Sequence, residues 1–147
     1  MKHNINGDII SDVAEMHRKF EVNKTMDILM ETLSQEDLLK YLNFRLDMCQ
    51  EELTETRDAV EARDAEEVVD GLIDLIVFAA GTLDVMNIDT RKAWKAVMEA
   101  NMNKNPGVKP GRPNPLGFPD MIKPSDWVGP SHIGNHGYIT EILGEEK

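Results

Sequence analysis

Cysteine is nearly missing from this chain: Cys49 is the one thiol in 147 residues. That count excludes an intramolecular disulfide and any zinc site built on several thiolates, and it points to a reducing compartment. Aromatic residues are scarce as well, four Phe, two Tyr and two Trp beside nine Met. Such a mix favours aliphatic packing between helices over a β-sandwich. Basic residues are outnumbered 16 to 27 by acidic ones, for a net charge of −11, and a field of that sign repels nucleic acid and anionic membrane surfaces. No apolar run approaches the roughly 20 residues that cross a bilayer. The start, Met1 to Gly7, is polar and has neither the cationic nor the apolar section of a signal peptide. The expectation is a cytoplasmic protein with no nucleic-acid or membrane partner. Any phosphate bound by so acidic a chain needs cations held by carboxylates.

What is present is helical periodicity. Ile9, Ile10, Val13, Met16 and Phe20 lie on one face of a first helix within 5–20. Met26, Leu29 and Met30 suggest a short helical turn, and Ser34 stands as an N-cap before Gln35, Glu36 and Asp37. Leu39, Leu42, Leu46, Cys49, Leu53 and Val60 then recur at threes and fours and define a long amphipathic helix. After a turn at Ala62 to Ala65, the stretch from about Glu66 to Met86 is apolar nearly all round, which predicts a central, buried helix. Ala93, Trp94, Val97 and Met98 give one apolar face to a last helix ending near 103–105. Beyond it, prolines and glycines from Pro106 to Pro130 are read as precluding regular structure, while Phe118, Met121, Ile122, Trp127 and Val128 argue against full disorder. The expected fold is all-α: an antiparallel bundle of four to five helices over 1–105, with an extended Pro/Gly-rich tail over 106–147 packing on the domain or on a neighbouring subunit.

Two acidic clusters carry the chemistry. Glu67, Asp70 and Asp74 are spaced three and four apart, so all three share one face of the central helix, and Asp74 lies inside the apolar run from Leu72 to Ala80. An ionised carboxylate in such surroundings needs a partner. On the preceding helix, Glu51, Glu52 and Glu55 form E-E-x-x-E, with Asp58 one turn on. A short connection makes the two helices antiparallel, and antiparallel packing can set the clusters opposite one another. Facing carboxylates suit Mg²⁺ or Mn²⁺. Acidic residues at helical spacing also commonly form a plain solvated face, and a buried Asp is often a satisfied hydrogen-bonding group. His17 has no Cys or His at ligand spacing, and His132 and His136 lie in the tail, which argues against zinc.

The acidic pairs resemble those of the all-α nucleoside triphosphate pyrophosphohydrolase superfamily, which includes MazG, dimeric dUTPases and phosphoribosyl-ATP pyrophosphohydrolase. The MazG-like, phosphoribosyl-ATP-pyrophosphohydrolase-like branch is the most similar, through Met16-His17-Arg18-Lys19-Phe20, Asp70-Gly71-Leu72-Ile73-Asp74, Gly81-Thr82, Ile88-Asp89, Asn101-Met102-Asn103-Lys104 and Lys123-Pro124-Ser125-Asp126-Trp127. The resemblance implies cleavage of a (deoxy)nucleoside triphosphate between the α and β phosphates, giving the monophosphate and pyrophosphate. It implies Mg²⁺, with Mn²⁺ as a substitute, held among Glu51, Glu52, Glu55, Glu67, Asp70 and Asp74, one of the three N-terminal glutamates doubling as general base. Lys104 would meet a phosphate and Asn101 a base or phosphate. Trp94 is the candidate for stacking on a base, although its place on an apolar helical face favours core packing. Family analogy suggests a homodimer or homotetramer. One position departs from the pattern: many members carry an acid three residues before the final Asp, where this chain has Gly71, so Asp70 or Glu67 must supply that oxygen. Phosphoribosyl-ATP and dUTP are alternative substrates. The rival from another class is a non-catalytic helical oligomer whose acidic face binds a basic partner.

Overall fold

A computed structural model of the chain describes residues 3–144. The first two residues of the helical domain expected over 1–105, and the last three of the tail expected over 106–147, lie outside the described residues. The described chain is a mostly helical, all-α bundle, and it divides into two compact units, one comprising 3–90 with 136–144 and the other Arg91–Asn135.

The first unit begins with α1 (Ile9–Lys19), capped by the Asp8 carboxylate, which accepts from the Ser11 N–H at 2.9 Å. Glu21, in the left-handed region at φ 54°, turns the chain into α2 (Val22–Thr32). Where the sequence suggested a short turn, three full turns form, because Met26 is anchored in the core at 2 % exposure. Ser34 caps α3 (Gln35–Ala62) as its sequence signature predicts, accepting from the Asp37 N–H. Arg63 ends α3 in the left-handed region at φ 59°, and Asp64 at once caps α4 (Ala65–Val85). So short a link folds the two helices back on each other, Leu38 near Val85 at one end and Thr56 against Gly71 toward the other.

The core of this unit is Met26, Leu38, Val85, Met86 and Ile142. The last of these comes from α6 (Ile139–Leu143). Its approach is set by the Tyr138 N–H donating to Met86 O at 2.8 Å, by the Tyr138 hydroxyl donating to Asp27 Oδ1 at 2.5 Å, and by Gln35 Nε2 donating to Ile142 O at 3.2 Å. Gly137, at φ 54°, packs where a Cβ would strike Met86 O, so no side chain is tolerated at that bend.

Two expectations about burial are corrected. The face of α3 turned to the interior is not Leu39, Leu46 and Val60, which are exposed, but one displaced by about a residue: Leu38, Arg45, Thr56 and Ala59. The side against α4 is built from small and polar groups, because close helix approach favours them. Nor is α4 buried all round, since α1, α2 and α3 are the helices packed on it. Val69, Leu72, Ile73 and Ile76 stand outward, and Ile73 is 52 % exposed. Ile73, Ile76 and Val77 line an apolar groove of about 430 Å³ with Val13, Met16 and Phe20 of the α1 region. No helix among the described residues is long and apolar enough to cross a membrane.

The second unit holds nearly all of α5 (Thr90–Met102), then β1 (Asn105–Gly107) paired antiparallel with β2 (Asp120–Ile122), and a 3-10 turn at Pro115–Gly117 between the strands. This corrects the expectation that the Pro/Gly stretch precludes regular structure. Both strands of a two-stranded ladder are edges, so the N–H missing at Pro106 interrupts no interior pairing. Asp120 secures the connection by accepting from the Met121 N–H at 2.7 Å and pairing with Lys109 at 3.4 Å and Arg112 at 3.3 Å. Trp127 ties the following loop to α5, its indole N–H donating to Ala100 O at 2.7 Å.

Candidate functional site

The seam between α3 and α4 is polar along much of its length, and its composition follows from how closely the helices approach. At Gly71 a Cβ would collide with Thr56 Oγ1. Thr56 in turn donates to Glu52 O at 2.7 Å. Position 71, which lacks the acid expected from the resemblance, therefore has no room for one.

One turn along, the acidic clusters meet. Glu52 is partly buried, and its carboxyl is held above the usual carboxylate range, first by burial and then by the charges of Asp74, Glu55, Glu51 and Asp70. Four carboxylates from both helices thus act on one side chain, which brings together five of the six acids singled out in the sequence. The sixth, Glu67, is exposed in the first turn of α4, where its N–H donates to Asp64 Oδ1 at 3.2 Å; it is not among the charges acting on Glu52. All five converging groups are hard carboxylate donors that repel each other, a set that suits Mg²⁺ or Mn²⁺. Among the described residues no three acidic, imidazole or thiol side chains form a ready-made metal cage. The donor chemistry and the shared repulsion fit a divalent ion; the side chains as they stand do not enclose one.

Farther along the seam lies a buried polar network that the sequence reading missed. Arg45, 9 % exposed, donates from Nε to Thr82 Oγ1 at 3.1 Å and from Nη2 to Phe78 O at 3.3 Å. His17, 4 % exposed, bonds through Nδ1 to Asp84 Oδ2 at 2.7 Å, and Asn23 Nδ2 donates to the same oxygen at 3.1 Å. The His17 bond leads the causes that hold Asp84 below the usual carboxylate range, against the opposing effect of burial. A Cβ at Gly81 would stand 2.8 Å from Arg45 Nη2 and 3.1 Å from His17 Nε2, so the glycine makes space for both. The available signal was register: Val13 and His17 are four apart on the apolar face of α1, and Arg45 is seven before Glu52 on the inward face of α3.

The remaining candidates lie in the second unit. Lys104 Nζ donates to Asn101 Oδ1 at 3.0 Å, so these two residues do come together. Trp94 is not core: it is 63 % exposed and lines an open cleft of about 520 Å³ with Lys95, Met98, Glu99, Met102 and Asn103. The side of α5 that packs is the small one, half-buried Ala93 and Ala96 with buried Ala100, which turns the indole outward.

With this geometry in view, comparison with known proteins gives one positive result. The profile of the phosphoribosyl-ATP pyrophosphohydrolase family matches residues 13–101, from α1 almost to the end of α5 and across all six acidic candidates. No curated protein and no solved structure matches the chain.

Proposed function

The chain belongs to the phosphoribosyl-ATP pyrophosphohydrolase family and is a pyrophosphohydrolase of nucleotide-like substrates, and from that premise we propose that it is a Mg²⁺-dependent enzyme that cleaves a nucleoside triphosphate to the monophosphate and pyrophosphate. The observation that carries this reading is the convergence on Glu52 of Asp74, Glu55, Glu51 and Asp70. Carboxylates gathered around one whose proton affinity they raise have a use when a polyanion must be bound by an acidic protein through cations. When bound, a divalent ion supplies charge neutralisation at the phosphates and makes a nearby water more acidic.

Within the chain's own residues, Glu51, Glu52, Glu55, Asp70 and Asp74 are the proposed holders of that ion, with Mn²⁺ an acceptable substitute. Glu52 is also the best placed to take a proton from the attacking water, because its raised proton affinity brings it closer to the operating pH. Glu67 is a weaker candidate, being exposed and not among the charges that act on Glu52. Asn101 and Lys104 are proposed for substrate contact, and the outward Trp94 for stacking on a base. Phosphoribosyl-ATP is the second substrate reading, favoured by the family whose profile the chain matches.

Incubating the purified chain with Mg²⁺ and a panel of nucleoside triphosphates, deoxynucleoside triphosphates and phosphoribosyl-ATP tests the proposal. Pyrophosphate release from at least one substrate is expected, and its loss in Asp74→Asn. A folded protein that releases none from any of them is not this enzyme.

The exposed apolar side chains of α4, together with the exposed Leu39, Leu46 and Val60 of α3, support the further reading that the chain works as a homodimer or homotetramer.

A further inference from the structure

The short ladder of the second unit pairs Asn105 with Ile122, and Lys104 and Lys123 are the residues that adjoin this last pair along the chain. Like charges brought near each other repel. Nothing nearby offsets this pair: Lys104 donates to the neutral Asn101, and neither lysine forms an ion pair with a carboxylate among the described residues. Acids in the same unit are engaged elsewhere or stand apart. Asp120 takes Lys109 and Arg112, Glu99 takes Lys95, and Asp126 pairs with neither lysine although it adjoins Trp127.

Both ammonium groups instead lie over the ring of Trp127, Lys104 at 5.0 Å and Lys123 at 4.6 Å from its centroid. That ring is anchored by its N–H bond to Ala100 O at 2.7 Å. An aromatic face attracts a cation without neutralising it. In a chain of net charge −11, two cations that approach one anchored ring, neither paired with a carboxylate among the described residues, offer a site for an anion.

We propose that Lys104, Lys123 and Trp127 form a clamp for the phosphate chain of the substrate, with Lys123 and Trp127 as binding residues beyond the acidic seam. This deepens the nucleotide reading above and rests on it. The ligand chemistry is a polyphosphate; nucleotide, pyrophosphate and orthophosphate are separated by the test.

The test uses the full chain carrying Trp94→Phe, so that Trp127 is the sole tryptophan, in EDTA so that no divalent ion takes part. Inorganic pyrophosphate carries no base and leaves the candidate role of Trp94 aside. A saturable change in Trp127 emission is expected with pyrophosphate, weaker with orthophosphate, and absent with equal ionic strength of chloride. Adding Lys123→Gln should weaken pyrophosphate binding by about tenfold, the loss of one charge-assisted contact, whereas Lys123→Arg keeps it. Lys123 is exposed, so the fold should survive, as far-UV circular dichroism checks; Lys104→Gln is the second variant. A titration without saturable response, or equal affinity in the parent and in folded Lys123→Gln, overturns the clamp. Hydrolysis is measured separately with Mg²⁺: there Lys123→Gln should raise KM and leave kcat nearly unchanged. Turnover with an unaltered KM removes the clamp and spares the metal reading, whereas pyrophosphate binding without turnover of any nucleotide spares the clamp as an anion site and removes the metal reading.

Discussion

Gly71 shows how one atom's worth of space decides a site. A methyl group there meets Thr56 Oγ1, and overpacking a tight helix seam costs about 2 kcal/mol, more than the helix propensity gained from replacing glycine. Gly71→Ala is therefore expected to lower stability by roughly that amount in urea unfolding, and Thr56→Ala added to it should restore most of the loss. The His17–Asp84 pair makes a second prediction at this scale. The folded-state pKa of Asp84 lies below its ordinary 3.8, so its contribution is present above the unfolded value and disappears as pH falls through the lower, folded one. Melting temperatures measured down the acid limb should fall less steeply for Asp84→Asn than for the parent.

An element's sequence pattern and its packing are different things in this chain. The apolar stripe of α3 announces a helix correctly, yet the face that touches α4 is the neighbouring one, where Arg45, Glu52, Thr56 and Ala59 sit. Periodicity finds the helix because side chains recur every 3.6 residues; it cannot say which of two adjacent faces meets which neighbour. The five-residue helix α6 makes the point from the other direction. Too short to show a period, it supplies Ile142, at 0 % exposure, to the core. Ile142→Ala should cost about 3 kcal/mol in denaturant unfolding. Tyr138, just ahead of it, has its pKa pushed up to about 12, chiefly by its hydrogen bond to Asp27. A raised folded pKa means that this contribution is intact below the unfolded value near 10 and lost as pH rises through about 12. Tyr138→Phe should flatten the alkaline limb of the stability profile over that window.

For the molecule as a whole, the charge balance sets the condition under which it works. The charges gathered around Glu52 disfavour its ionised form, so Mg²⁺ or Mn²⁺ should raise the melting temperature of the metal-free fold, by the equivalent of about 2.7 kcal/mol at a hundredfold excess over Kd. Glu52→Gln should melt above the parent without metal and respond less to it; a melting curve indifferent to both ions argues for the interaction-protein alternative. Exposed Ile73 and Ile76 beside an apolar groove lead to an expectation about assembly. Ile73→Glu with Ile76→Glu should shift sedimentation velocity from a dimer or tetramer toward monomer, because charge cannot be buried in an apolar interface without a partner.

From the residue order alone came the longer helices, the cap at Ser34, the turn at Ala62 to Ala65, the two acidic groups and the family, since each depends on spacing within a few residues. Only the tertiary structure decided which acids act on Glu52, that Glu67 is not among them, that position 71 has no room for a carboxylate, and that His17 and Arg45 are buried polar partners. The same holds for Lys104 and Lys123, nineteen positions apart in the chain and both near the Trp127 ring, beside a ladder that proline had argued against. Local spacing follows from the geometry of a single helix, whereas the distance between residues far apart in sequence depends on how closely and in what register the elements approach, and that is set by the volumes of the side chains between them.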